Sequence, residues 1–352
     1  MKTKVGIIFG GTSTEHEVSV VSGTSIIKNI DKNKYEVLPI FIDKNGEWYI
    51  YDIDVNNISI LHVGDEPAEL KKIENIVETL KSVDVIFPVL HGLYGEDGTI
   101  QGLLELIKKP YVGCRVLASS VCMDKAYTKV ILEKAGIPQV KHIYIRRISG
   151  QYEYVDEDFN FEKMNIEDIS NKIVAKLGLP VFIKPSNSGS SVGINKASTI
   201  EEIKKYIDYA AKFDSKIIVE EAVNAREIEC AVLGNDDIEA SVLGEIMPAE
   251  EFYTFDAKYN NAESKTKAPA LVDENTTAEI RKIAVKAFKA VDGKGLARVD
   301  FFVDKNSGKI YLNEINTMPG FTTISMYPQL FEKCGLTYEE LIEKLITLAV
   351  EG

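Results

Sequence analysis

Two acidic residues in the carboxyl-terminal part of the sequence have the spacing of a metal site. Residues 296–303 and 309–313 are largely apolar, β-branched or aromatic, and the turn formers at 304–308 separate them. This pattern predicts a β-hairpin. Pairing of its two arms places Asp300 opposite Glu314, so we expect the two carboxylates to face one another.

An amide and a guanidinium group extend this cluster. Because side chains alternate along a strand, Asn316 shares the face of Glu314, and Arg298 shares the face of Asp300. Carboxylate and amide oxygens are hard ligands that suit Mg²⁺, which completes its shell with water and substrate phosphates. The pattern therefore indicates a magnesium site formed by Asp300, Glu314 and Asn316, with Arg298 placed to stabilise an anionic transition state.

The alternative is that these acids form the solvated face of an edge hairpin. The neighbouring Phe301, Phe302, Val303, Tyr311 and Leu312 predict a buried hairpin instead. A buried carboxylate needs a metal or a charged partner, which favours the metal site.

A serine- and glycine-rich segment could bind an anion. Residues 185–193 read PSNSGSSVG and follow a short apolar strand that ends at Lys184. Glycine and serine let the backbone approach an anion closely and supply N–H and O–H donors. The segment could equally be a flexible hairpin turn, but a lysine at the end of a buried strand favours an anion. Lys125, on a helix of its own, is a weaker candidate for the same role.

Two candidates lie where apolar strands end in the amino-terminal part. Glu15 follows the first strand and its glycine turn, where it could meet a substrate ammonium group or simply belong to the acidic first turn of a helix, as Glu17 does. His91 follows an apolar strand and precedes a glycine. That position favours a functional role over a core imidazole.

A third group of acids surrounds the end of another apolar strand. Glu220 and Glu221 end the strand, and Val223 and Glu227 follow it. Main-chain groups of Glu221 and Val223 could meet an adenine, with Glu227 on the ribose hydroxyls, although a solvated strand edge would look the same.

Composition restricts the classes of partner. The chain has 352 residues, 45% of them hydrophobic and 27% charged, which is typical of a globular protein of two or three domains. A net charge of −13 disfavours nucleic acid and anionic membranes as partners. The four cysteines show no metal-ligand spacing, so we expect reduced thiols and a cytoplasmic location.

Hydrophobic periodicity predicts an α/β chain with three regions. Residues 1–117 alternate strands and helices as a doubly wound parallel sheet does. Residues 118–218 mix strands and helices, beginning with one helix over 119–135, and a strand at 217–219 begins the third region, 219–352. Residues 248–270 have no clean period and predict a long surface loop of the kind that forms lids.

With these residues placed, the chain resembles the D-alanine–D-alanine ligase family of the ATP-grasp superfamily over essentially its full length. The motifs occur in the family's order and are specific in combination; they read GGTSTEHEVS, LHGLYGEDGTIQG, MDKAYTK, IKPSNSGSSVG, FYTFDAKY, ARVDFF and NEINTMPGFTTISMYP. The resemblance implies a three-domain ATP-grasp fold whose second and third domains enclose ATP.

The resemblance also implies the reaction. The carboxylate of a first D-alanine attacks the γ-phosphate of ATP, and the amine of a second D-alanine then displaces phosphate from the acyl phosphate, which gives the D-alanyl-D-alanine of peptidoglycan. It implies two Mg²⁺ ions, for which Mn²⁺ would be an acceptable substitute, and a homodimer in the cytoplasm.

Site roles follow from the same resemblance. ATP would meet Lys125, Lys184, Glu220, Glu221, Val223 and Glu227, and the metal ions would meet Asp300, Glu314 and Asn316. Arg298 and the N–H of Gly320 would form the oxyanion site. The first substrate would meet Glu15 and His91, with Ser190 and Tyr259 hydrogen-bonded to Glu15. Lys258 would reach the transferring phosphate, and Ser325 and Met326 would take the second substrate's carboxylate.

Departures from the family pattern bear on the second substrate. The lid reads FYTFDAKY where many relatives have FYDYEAKY, so Thr254 and Phe255 replace an acid and a phenol while Lys258 and Tyr259 survive. The tyrosine-containing lid disfavours D-lactate, and Met326 cannot hydrogen-bond a serine hydroxyl, so D-alanine is favoured over D-serine.

Two rival functions remain on the same scaffold. A non-catalytic sensor of ATP or an amino acid would be expected to lose a metal ligand or Arg298, and the sequence retains them all. A carboxylase-like ATP-grasp ligase would be expected to lack Glu15, Ser190 and Tyr259, which are present. Both rivals are therefore less favoured than the ligase.

Overall fold

The computed structural model describes residues 2–247 and 265–352. The first of three sheets has strands β1 (Thr3–Gly10), β2 (Tyr35–Ile42), β3 (Trp48–Tyr51), β4 (Leu70–Lys72) and β5 (Val85–Pro88) in the order β4-β3-β2-β1-β5. Strands β2, β1 and β5 are parallel, as predicted. Strands β3 and β4 add an antiparallel edge that the sequence patterns did not reveal. The helices of this region are α1 (His16–Asn29), α2 (Ile76–Lys81) and α3 (Thr99–Leu106).

The second sheet follows helices α4 (Val116–Met123) and α5 (Lys125–Lys134). Its strands are β6 (His142–Ile148), β7 (Gln151–Val155), β8 (Phe161–Met164), β9 (Val181–Pro185), β10 (Asn195–Ala197) and β11 (Lys216–Glu221), in the order β10-β9-β11-β6-β7-β8. Helices α6 (Ile166–Leu177) and α7 (Ile200–Ala210) pack on this sheet.

Two sequence predictions are wrong in this region. The helix predicted over 119–135 is two helices, because Asp124 has an extended backbone and its side chain accepts hydrogen bonds from Ala126 N and Tyr127 N at the start of α5. Strand β11, which we assigned to the third region, pairs antiparallel with β6 and β9 and belongs to the second sheet. The strands that pair with β11 lie far away in sequence, so the residue pattern of β11 could not show to which sheet it belongs.

The third sheet has strands β12 (Ala225–Leu233), β13 (Glu239–Met247), β14 (Lys265–Lys267), β15 (Leu296–Asp304) and β16 (Ile310–Asn316) in the order β14-β13-β12-β15-β16. Its helices are α8 (Glu274–Ala290), α9 (Met326–Glu332) and α10 (Tyr338–Glu351). Within the two described ranges, no helix combines the length and apolar character needed to cross a bilayer.

Shared cores hold these sheets in contact. One core joins the first sheet, through Phe9 and Phe87, to Phe321, Tyr327 and Leu345 of the third region. A second core packs α4 and α5 against α8 and the inner face of the third sheet. These shared cores fix the position of the loops between the sheets, where the predicted functional residues lie.

Candidate active site

The predicted hairpin is confirmed in its register. Asp300 pairs with Glu314 and Arg298 pairs with Asn316 across β15 and β16, with a bulge after Asp300. Strand β16 is an edge strand of the third sheet, but Asp300 is buried with 9% of its surface exposed. The hairpin is therefore not a fully solvated face, and its acids need partners.

Arg298 is the charged partner of Asp300. Its Nε lies 2.8 Å from Asp300 Oδ1 and its Nη2 lies 2.7 Å from Oδ2, and Asn316 Nδ2 donates to the same Oδ2 at 2.9 Å. Burial alone would lower the pKa of Arg298, but the carboxylates of Asp300 and Glu229 raise it well above its ordinary value. The guanidinium group thus stays charged although only 17% of its side chain is exposed.

The donor set of the hairpin fits a hard divalent cation. Across residues 2–247 and 265–352, no group of three or more His, Cys, Asp or Glu side chains is arranged to hold a metal. The predicted site contains two carboxylates and one amide, so an ion bound there would need further oxygen ligands from water or phosphate. This is the coordination that Mg²⁺ adopts with a nucleotide.

A cleft beside the hairpin carries three lysines. It is lined in part by Lys125, Lys129, Lys184, Glu220 and Glu314, which come from α5, β9, β11 and β16. Lys125 Nζ lies 4.0 Å from Glu314 Oε2 and donates to Ser188 O at 2.8 Å. The second and third sheets therefore meet at a site with concentrated positive charge next to the predicted metal ligands.

Glu220 organises two of these lysines. Its Oε1 lies 2.7 Å from Lys129 Nζ, and its Oε2 lies 2.5 Å from Lys184 Nζ. Burial would raise the pKa of Glu220, but the two ammonium groups overcome this effect and hold it well below its ordinary value. Although burial also opposes the charge of Lys184, Glu220 raises the pKa of that lysine. Two cations and one anion leave a net positive charge in the cleft.

Asp124 fixes the serine-rich loop against the start of α5. Its carboxylate accepts a hydrogen bond from Ser186 Oγ at 2.5 Å and contacts Lys216 Nζ. Asn187 Nδ2 donates to Asp124 at 3.3 Å and to Asp214 at 2.9 Å. Lys125 and the loop consequently keep a fixed relative position.

The tip of the loop reaches the amino-terminal region. Ser190 Oγ donates to Glu15 Oε1 at 2.5 Å, although 175 residues separate them. Ser190 adopts a left-handed backbone with φ of 46°. A Cβ atom on Gly189 or Gly92 would lie 2.6 or 2.5 Å from Glu15 Oε2, so a side chain at either position would displace the carboxylate.

His91 connects the amino-terminal region to the loop after β16. Because a carbonyl can only accept, His91 Nδ1 donates to Met318 O at 2.9 Å, and Ser22 Oγ then donates to Nε2 at 3.1 Å. Ser22 Oγ also accepts from Phe321 N at 3.1 Å. Burial lowers the pKa of His91, partly opposed by the charge of Glu15, so the ring is neutral at pH 7.

Comparisons with known proteins agree with the motifs. Family models described as "D-ala D-ala ligase N-terminus" and "D-ala D-ala ligase C-terminus" match residues 4–114 and 131–347. The chain belongs to the D-alanine–D-alanine ligase family. A D-alanine–D-alanine ligase of Acetivibrio thermocellus is 51% identical over 99% of this chain and 96% of its own length. One from Clostridium novyi (strain NT) is 51% identical over 100% and 99%.

Solved structures show the same ligase fold. The VanG D-Ala:D-Ser ligase from Enterococcus faecalis has a TM-score of 0.85 and 37% identity, covering 99% of this chain and all of its own. The D-alanine-D-alanine ligase from Coxiella burnetii has a TM-score of 0.82 and 35% identity, covering 99% and 96%. The predicted ATP-grasp architecture is confirmed.

The remaining predicted site residues lie on neighbouring segments or outside the described residues. Glu221 N donates to Lys141 O at 3.0 Å, and Val223 follows on the connection to β12, which carries Glu227. Ser325 is the residue immediately before α9, and its Oγ would lie 3.0 Å from a Cβ atom on Gly320. Met326 is buried at the start of that helix. Tyr259, Lys258 and most of the predicted lid lie outside the described residues.

Glu96 is a site residue that sequence reasoning missed. Its Oε2 accepts from Gly92 N at 2.7 Å and its Oε1 accepts from Met318 N at 3.0 Å, so it ties the His91 loop to the loop after β16. Burial and the charge of Glu15 raise the pKa of Glu96 to about 8, against the effect of the two N–H donors. Its position in the motif HGLYGEDG, five residues after His91, was the available signal.

Glu96 gives the ligase a pH-dependent stability. A carboxyl whose folded-state pKa lies above its unfolded value stabilises fully below the unfolded value, and this contribution is lost as pH rises through about 8. Between pH 5 and 8, the free energy of unfolding of the wild type should fall as pH rises. In Glu96→Gln we expect this fall to be smaller by up to about 1.4 kcal/mol per pH unit. Urea unfolding at both pH values measures it, with the exposed Glu36→Gln as control; parallel profiles for wild type and Glu96→Gln would contradict it.

Proposed function

We propose that this chain is an ATP-dependent ligase that joins two D-alanine molecules into D-alanyl-D-alanine for peptidoglycan. The observation that carries the proposal is that contacts link three groups: the Arg298, Asp300 and Glu314 cluster, the lysines around Glu220, and the Glu15–Ser190 pair. Lys125 lies 4.0 Å from Glu314 and donates to Ser188 O, and Ser190 of the same loop donates to Glu15. The first group lies in the third region, the second lies in the second region, and the pair joins the first region to the second. Together they would supply metal, phosphate and ammonium sites.

In the first step, an oxygen of the first D-alanine carboxylate attacks the γ-phosphorus of ATP, and ADP leaves. Lys125 and Lys184 bind the phosphates, and Glu220 holds Lys184 charged and in place. The carboxylate of Glu220 is taken up by lysines, so its contribution to adenine binding comes from the main chain, beside the carbonyl of Glu221 and the N–H of Val223. Glu227 takes the ribose hydroxyls.

Asp300, Glu314 and Asn316 would hold two Mg²⁺ ions, or Mn²⁺ in their place. Such ions neutralise phosphate charge and orient the transferring group. Arg298 and the N–H of Gly320 then stabilise the oxyanion that forms when the second amine attacks the acyl phosphate carbonyl. The second D-alanine loses one ammonium proton to solvent before the attack. The C–N bond then forms, the C–O bond to phosphate breaks, and the excess proton on nitrogen leaves with the phosphate.

The substrates are positioned by residues on both sides of the cleft. Glu15, held by Ser190, binds the ammonium group of the first D-alanine, with neutral His91 nearby. Ser325 and the main chain of Met326 bind the carboxylate of the second. Water must be excluded because an acyl phosphate hydrolyses. Tyr259 and Lys258, which the family resemblance assigns to this task, lie outside the described residues.

The glycine beside Glu15 provides a test of the first-substrate site. Gly189→Ala places a methyl group 2.6 Å from Glu15 Oε2 and must displace the carboxylate. We expect kcat/KM for D-alanine to fall by roughly tenfold or more, since small displacements at a reacting centre are costly. Steady-state kinetics measure this effect. Gly102→Ala, where a Cβ atom meets nothing within 4 Å, is the control; equal kinetics for the two variants would refute the proposed role of Glu15.

A D-alanine:D-serine ligase is the second candidate, because the VanG ligase is a close structural match. Met326 at the second-substrate site has no group that could bind a serine hydroxyl, which favours D-alanine. The deciding experiment is phosphate release from ATP with D-alanine alone, and with D-serine or D-lactate added, with products identified by mass. Phosphate release that requires D-serine would overturn the assignment.

We also propose the larger organisation of the chain. Three domains would correspond to the three sheets, at 1–117, 118–221 and 222–352, with the second boundary moved past β11. The described cysteines are free thiols, which supports a cytoplasmic location. A homodimer is expected, and light scattering would test it.

A further inference from the structure

A buried acid beside Arg298 has no role in the reaction as described so far. Glu229 lies on β12, directly across from Asp300 on β15 and from Gly244 on β13. Only 8% of its surface is exposed. Its Oε1 lies 3.3 Å from Arg298 Nε. Glu229 is therefore the second carboxylate that contacts the guanidinium group.

The two carboxylates beside Arg298 differ in their position relative to the predicted metal site. Asp300 accepts hydrogen bonds from Arg298 Nε and Nη2 and from Asn316 Nδ2. It also faces Glu314 in the predicted metal site. A cation bound to Asp300 would offset the negative charge that this carboxylate presents to Arg298. Glu229 lies on the opposite side of Arg298's strand from Glu314, and its charge continues to attract the guanidinium group.

Met326 packs beside Glu229, over the neighbouring strand β13. Residues directly opposite in an antiparallel pair share one face of the sheet, so Gly244 lies on the face of Glu229. A Cβ atom on Gly244 would lie 2.4 Å from Met326 Sδ, which shows that Met326 packs down onto this glycine. Glu229 thus lies between Arg298 and the residue proposed for the second substrate.

From this geometry we infer that Glu229 is a positioning residue, which orients Arg298 toward the oxyanion while Asp300 serves the metal. The inference rests on the proposed function of Arg298. Glu229 would act through its contact with the guanidinium group. Its removal should impair the chemical step while nucleotide binding stays intact.

The test is Glu229→Gln, which keeps the shape of the side chain and removes its charge. We expect kcat to fall by about tenfold or more, as for other misplaced catalytic groups, with KM for ATP and the dissociation constant of ADP unchanged. The control is Glu245→Gln, whose partner Arg226 lies 2.7 Å away on the opposite face of the same sheet, and which should retain wild-type kcat. Wild-type kcat in Glu229→Gln would overturn the inference.

Coupling to Arg298 separates positioning from a general structural role. In an Arg298→Lys background, Glu229→Gln should change the residual rate by less than about twofold, because non-additivity marks residues that act as one unit. The same fold-loss in both backgrounds would contradict action through Arg298.

A readout independent of turnover is the ¹⁵N-detected Nε–H signal of Arg298, assigned by its absence in Arg298→Lys. It should shift in Glu229→Gln and stay fixed in Glu245→Gln; an unmoved signal in Glu229→Gln would also overturn the inference. A wild-type protein that makes no dipeptide would instead refute the proposed function, so the two failures are distinguishable.

Discussion

Replacing Arg298 with alanine is expected to lower kcat for D-alanyl-D-alanine formation by about 10²–10³-fold or more while the protein stays folded. The guanidinium group is mostly buried, charged and held by two hydrogen bonds to Asp300. Its charge is therefore fixed at the position proposed for the oxyanion, and a water molecule could not replace it. Steady-state dipeptide formation, with circular dichroism as a check on folding, measures the effect.

Arg226→Ala is the matched control for this experiment. Arg226 makes a similar two-bond contact with Glu245, at 2.7 Å for each bond, on the opposite face of the same sheet. Its loss should affect stability and leave kcat near the wild-type value. An active Arg298→Ala variant, or equal rate losses in the two variants, would contradict the oxyanion role.

Glu220→Ala is expected to have the largest effect on stability. The substitution leaves Lys129 and Lys184 buried without their shared carboxylate, and breaking a buried ion pair in this way costs about 3–5 kcal/mol. Because Lys184 would no longer be held in position, affinity for ATP should also fall. Urea unfolding and nucleotide titration provide the two measurements.

An exposed pair supplies the comparison for Glu220. Glu239 lies 2.7 Å from Lys344, with side chains that are 63% and 36% exposed, and Glu239→Ala should cost no more than about 1 kcal/mol. Similar costs for Glu220→Ala and Glu239→Ala would show that burial of the Lys129–Glu220–Lys184 group is unimportant. Unchanged ATP affinity in Glu220→Ala would refute its role in placing Lys184.

Local patterns predicted the parts of the site that lie on regular elements. The hairpin register follows from two apolar runs and a turn, so Asp300 and Glu314 were placed correctly against one another. The parallel strands of the first sheet were likewise evident from periodicity.

Contacts between distant segments could not be derived in the same way. Glu220 lies between two lysines from different elements. Glu96 accepts a hydrogen bond from Met318 N, which is 222 residues away in the sequence. Asp124 interrupts a helical pattern because its side chain caps the next helix, a local signal that hydrophobic periodicity does not record. The pattern of the strand that carries Glu229 does not reveal that its neighbour across the sheet is Asp300.

The most direct test of the account uses D-alanine labelled with ¹⁸O in both carboxylate oxygens. If the carboxylate attacks the γ-phosphate, each turnover transfers one labelled oxygen to the released phosphate and leaves the other in the peptide carbonyl. Mass spectrometry of phosphate and dipeptide distinguishes the two positions. We predict one ¹⁸O atom in phosphate for every dipeptide formed; unlabelled phosphate accompanying D-alanyl-D-alanine would contradict the acyl phosphate route and the site assigned to it.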